Sequence, residues 1–150
     1  MKLVTLLCLI GSSLAAELID GIQIDFPPSN REWTPLIEHE KLKIYTHREG
    51  DALELFALAS APSDEEIEWE REEMIKALFP NHRHAYKTGE LCGLTEWEFH
   101  DGKVDLMHGL AREIDEGEKT YLLFYLTTAL KSEINTHLWA QILNQASRKE

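Results

Sequence analysis

At 150 residues and 43% hydrophobic content, the chain fits one globular domain with a core large enough to need no metal or disulfide staple. Fifteen Lys and Arg against 27 Asp and Glu give a formal net charge of −12, which repels phosphate backbones and anionic lipid and argues against nucleic acid as a partner. A basic protein or a cation suits that field, and plain solubility is the other use of so much acid.

The first segment has the three-part form of a secretory signal. Lys2 is the positive start, Leu3-Val4-Thr5-Leu6-Leu7-Cys8-Leu9-Ile10 the apolar run, and Gly11-Ser12-Ser13-Leu14-Ala15-Ala16 the small-residue end. Ser13 and Ala15 are spaced as a signal peptidase reads them, so cleavage is expected after Ala15, or one residue later after Ala16. Residues 1–15 are then signal peptide and 16–150 a single mature domain, periplasmic or secreted, about one unit more negative for the loss of Lys2. The run is shorter than the roughly 20 residues a membrane helix needs, so a soluble product without stable membrane insertion is expected. A buried N-terminal strand or helix is the alternative. Thr5-Leu6-Leu7 lacks the small residue that precedes a lipidated cysteine, which argues against Cys8 as an anchor. Without the leader, Cys92 is the only cysteine and no internal disulfide can form.

Beyond the leader, Ile22, Ile24 and Phe26 alternate with Gln23 and Asp25, a half-buried strand ended by Pro27-Pro28. A turn-rich loop carrying Trp33 and Pro35 leads to a second alternation from Leu42 to His47, with Leu42 and Ile44 on one face. Arg48-Glu49-Gly50-Asp51 reads as a hairpin turn and Leu53 to Ala59 as the returning strand. A helix is expected over Asp64 to Leu78. Ser63 caps it, Glu66 completes a capping box, Asp64 and Glu65 complement the dipole, and Pro80 stops it. Ile67, Met74, Ile75 and Leu78 form its apolar stripe, and Arg71 falls inside that stripe.

Strand patterns then resume. Ala85 to Lys87 reads as a short strand, and Thr95, Trp97 and Phe99 alternate before the Asp101-Gly102 hairpin signal. Val104, Leu106, His108, Leu110 and Ile114 share one face of a long strand. Glu116-Gly117-Glu118-Lys119 turns the chain into Tyr121 to Thr128, apolar on both faces as a central strand should be. A closing helix capped by Ser132 carries Ile134, Leu138 and Ile142 on its inner stripe, with Arg148 and Lys149 at its end. The expected fold is α+β, in the order βββ-α-ββββ-α. It has a mostly antiparallel sheet of six to seven strands and two amphipathic helices packed on it.

That order is similar to the PsbP/Mog1/DcrB group of domains, an antiparallel sheet flanked by helices. Phe26-Pro27 followed by Trp33 resembles the strand–proline–tryptophan opening of the group. The Glu96–Phe99 strand running into Val104–Ile114 and Tyr121–Thr128 continues the likeness, which covers nearly the whole mature chain in layout. The resemblance implies a non-catalytic binding or assembly partner acting outside the cytoplasm. No ligand residue carries over.

Chemical motifs are sparse. Cys92 has no neighbouring cation to activate it and reads as a buried structural thiol. Neither a nucleophile elbow nor a phosphate-binding glycine loop occurs. Seven histidines raise a metal reading, with His82 and His84 the close pair and His100 or His108 the third ligand; otherwise the histidines are solvated, with His108 buried and hydrogen-bonded. No cofactor is expected. The most pointed feature is Trp69, about 200° around the helix from Ile67, among Glu65, Glu66, Glu72, Glu73 and Lys76. Such a ring is a candidate partner anchor, unless a loop covers it or it is a lone exposed side chain. Candidate binding residues are therefore Trp69, Glu65, Glu72 and Glu73, with Trp33 beside them. The leading expectation is an exported, non-catalytic binding or assembly module with a basic protein partner. A metal-binding protein or small enzyme built on His82 and His84, and an exported inhibitor or immunity-type protein, are the alternatives.

Overall fold

The structure, a computed structural model, describes residues 15–27, 33–49, 52–78, 84–100, 106–128 and 133–148. In chain order it has β1 (Ala15–Glu17), β2 (Ile22–Asp25), β3 (Thr34–Glu38), β4 (Leu42–Glu49) and β5 (Ala52–Ala61). Then come α1 (Asp64–Leu78), β6 (His84–Leu91), β7 (Leu94–His100), β8 (Leu106–Asp115), β9 (Thr120–Thr127), α2 (Glu133–Gln145) and β10 (Ser147–Arg148). Residues 1–14 of the expected leader, the Gly50-Asp51 and Asp101-Gly102 turns, the Ser132 cap and Lys149 lie outside the described residues.

A seven-stranded sheet runs in the order β3-β4-β5-β9-β8-β7-β6, with every neighbour antiparallel. The mixed α+β class with two helices on an antiparallel sheet is the expected one. β9 is the middle strand and is buried along its whole length, because its side chains meet a layer on each side. Leu122, Phe124 and Leu126 point into the cluster that holds Ile67, Met74 and Ile75 of α1. Tyr121, Leu123 and Tyr125 point the other way, to Trp139, Ala140 and Leu143 of α2. Alanines 57, 59, 61 and 111 line the α1 side, so that helix lies close to the sheet.

Ser63 caps α1 as expected. The Glu66 amide donates to Ser63 Oγ at 3.3 Å, and Thr120 Oγ1 donates to Asp64 Oδ1 at 2.8 Å, fixing the helix start to β9. The Asp115–Thr120 turn closes through the Glu116 amide on the Lys119 carbonyl. Gly117 sits there at φ 84°, a conformation that glycine adopts at little cost.

Several details differ from the sequence reading. β2 is not in the main sheet; it forms a separate three-stranded sheet with β1 and β10. β3 was not expected. Pro35 and a bulge between Pro35 and Ile37 break its alternation, and all five of its residues are exposed at the sheet edge. The short strand at Ala85–Lys87 is part of the longer β6, which joins β7 through a two-residue turn, Cys92-Gly93. In α2 the inner face is Trp139, Ala140, Ile142 and Leu143, whereas Leu138 is 39% exposed. Arg148 does not end the helix but pairs with Ile22 in β10. The cation at the helix C-terminus is Arg112 of β8, whose Nη1 donates to the carbonyls of Leu143 at 2.6 Å, Asn144 at 3.3 Å and Ala146 at 2.9 Å.

Candidate functional site

The outer face of α1 is built by helical spacing. Residues three and four positions from Trp69 are Glu65, Glu66, Glu72 and Glu73, so four carboxylates surround one indole. Trp69 is 59% exposed and all four glutamates are exposed. Lys76 pairs with Glu73 at 3.4 Å and leaves the patch strongly negative. The helix tolerates this because its opposite face, led by Ile67, is buried.

Arg71 lies on that inner face and is 5% exposed. Its guanidinium stacks 4.0 Å from the centre of the Trp97 ring, and Lys87 Nζ approaches the same ring at 5.3 Å. Arg71 Nη2 reaches Glu68 Oε1 at 3.4 Å, a long contact to a carboxylate that is itself largely exposed.

A second cluster lies on the α2 side. Glu54 of β5 uses both carboxylate oxygens: Oε2 meets His47 Nδ1 at 3.0 Å, and Oε1 accepts from Tyr125 Oη at 2.6 Å. The β4–β5 register places His47 opposite Glu54, so the hairpin itself makes the first contact. Trp33 stacks on His47 with centroids 5.3 Å apart, and Trp139 stacks on Tyr125 at 4.3 Å. Phe26 sits against Trp33, Tyr45, Phe56 and Trp139. Burial, then the Glu54 hydrogen bond and charge, hold the Tyr125 hydroxyl far above the usual tyrosine range. Burial and the charge of Glu38 also raise Tyr45. With both oxygens of Glu54 occupied inside an aromatic shell, the cluster is suited to clasping β4, β5 and β9 together. Sequence reasoning missed it, because the expected Arg48-Glu49-Gly50-Asp51 turn does not by itself fix the register that sets His47 opposite Glu54.

The candidate residues do not converge. Trp69 and its glutamates are on one helix, whereas Trp33 packs into the aromatic cluster on the other side of the sheet. His82 lies outside the described residues, and His84 opens β6 opposite His100 in register. Among the described residues, no three of His, Cys, Asp and Glu sit close enough to hold a metal ion. The expectation of solvated histidines fails at His47, 4% exposed under Trp33; His108 is half-buried, 3.9 Å from Glu98. Cys92 is exposed rather than buried, since it occupies the β6–β7 turn at φ 52°. No helix among the described residues is long and apolar enough to cross a membrane. In comparisons with known proteins, no family model matches the chain and no curated protein aligns with it.

Proposed function

We propose that this chain is an exported, non-catalytic binding or assembly module that docks a basic protein partner on the outer face of α1. The observation that carries the reading is Trp69, more than half exposed and ringed by Glu65, Glu66, Glu72 and Glu73. An indole supplies a large apolar contact at little entropic cost, and the surrounding acid selects a partner rich in Lys and Arg. The same acid disfavours docking of a second copy, because Glu would then face Glu. A layout resembling the PsbP/Mog1/DcrB domains supports the same role, and the Lys2–Ala16 leader supports a site of action in the periplasm or outside the cell.

Two measurements test this. Immobilised wild-type protein, exposed to an envelope extract of its native host, is expected to retain a basic protein that raised salt releases and that Trp69→Ala fails to hold. Equal recovery by both forms removes α1 from the function. The intact mass of protein from the native host is expected to begin at Ala16 or Glu17; a chain still starting at Met1 rules out the export step.

A further inference from the structure

We infer that Arg71 and Lys87, stacked on Trp97, form a binding site for an oxyanion, a carboxylate or phosphate group of a ligand distinct from the Trp69 partner. A guanidinium carries five N–H donors and stays charged at any accessible pH, so its burial requires acceptors. Arg71 is more than nine-tenths buried, yet among the described residues its hydrogen bonding consists of one 3.4 Å contact to Glu68. Buried arginines ordinarily meet a carboxylate through two short parallel bonds. Here the guanidinium carbon lies 4.0 Å from the centre of the Trp97 ring, and no such bidentate pair is formed among the described residues.

Lys87 adds a second positive charge at the same ring. Its register opposite Trp97 places it on the α1 side of the sheet, and it is exposed. Two cations therefore converge on one indole within a chain of net charge −12. The side chain of Glu68 is 55% exposed, so it can leave at small cost. It acts as a placeholder that an incoming oxyanion displaces, with Arg71 supplying paired donors and Lys87 the remaining charge.

The test uses the full chain with inorganic phosphate and acetate as separate probes at matched ionic strength, chloride being the reference. NMR follows the Arg71 Nε–H and Trp97 indole signals. Saturable shifts of both signals with phosphate, acetate or both are expected, and the responding anion identifies the ligand group. Arg71→Lys keeps the charge but loses the fork and is expected to weaken binding about tenfold; Arg71→Met abolishes it. Lys87→Ala, an exposed change that leaves the fold intact, weakens it several-fold. Trp69→Ala binds the anion like wild type, which separates this site from partner docking. Absence of a saturable shift with either anion, or unchanged binding in Lys87→Ala and Arg71→Met, overturns the assignment.

Discussion

The two faces of the seven-stranded sheet are built in opposite ways. The α2 side is aromatic and tied by side-chain hydrogen bonds between elements: Glu54 to His47 and Tyr125, Tyr121 Oη to Asp20 at 3.0 Å, and Arg112 to the end of α2. The α1 side is mainly aliphatic, floored by alanines with Phe124 and Trp97 among them, has the Thr120–Asp64 tie, and its helix presents to solvent a tryptophan among acids. The large aromatic cluster lies on the first side, and the exposed Trp69 on the second. A domain arranged this way can vary the exposed face of α1 while Ile67, Met74 and Ile75 keep its inner face in the core.

Removing the heaviest piece of the α2 side should break that contrast most. Trp139→Ala is expected to cost about 3–5 kcal/mol in denaturant unfolding, since the indole stacks on Tyr125 and Phe56 and is buried. Glu54→Ala takes the carboxylate away from both the His47 ring and the Tyr125 hydroxyl and should cost about 1–3 kcal/mol.

Tyr125 sharpens the comparison through pH. Its hydroxyl keeps its proton in the fold well above the pH, about 10, at which an unfolded tyrosine loses it. The folded chain therefore binds more protons than the unfolded one at alkaline pH. The stability linked to Tyr125 is complete below about pH 10 and declines as pH rises beyond it. Tyr125→Phe should flatten that decline in unfolding curves between about pH 9 and 11, leaving the smaller contribution of Tyr45, which is raised in the same direction.

On the α1 side the effects are smaller. Ser63→Ala removes the acceptor for the Glu66 amide and should cost about 1 kcal/mol. Trp69→Ala should move stability by no more than about 0.5 kcal/mol while removing partner binding. A large loss of stability in that variant would mean that the indole is part of the core.

What was legible in the sequence follows the same division by physical cause. Local signals read cleanly: α1 spans Asp64–Leu78 because its cap, dipole charges and stop are all contiguous in the chain. The unbroken apolar run of β9 announced a strand covered on both faces. Features set by distant partners did not read. The alternation of Ile22 and Ile24 shows which side chains are buried but not that β2 joins a different sheet. Cys92 belongs to a residue type that is usually buried, yet the tight β6–β7 turn overrides that tendency. His47 is buried because Trp33 lies over it and Glu54 stands opposite, and neither fact is contained in the pattern of its own strand. Of the candidate site, the crowding of acids around Trp69 needed only the helical repeat. The stacking of Arg71 on Trp97 needed the tertiary fold.

The small sheet has a consequence for how the molecule is made. β2 is paired on one side by β1 and on the other by β10, so segments from opposite ends of the described chain close on each other. The opening strands consequently wait for the final turn of chain before their ladder is complete. During synthesis the nascent chain stays open at that seam until β10 has been made.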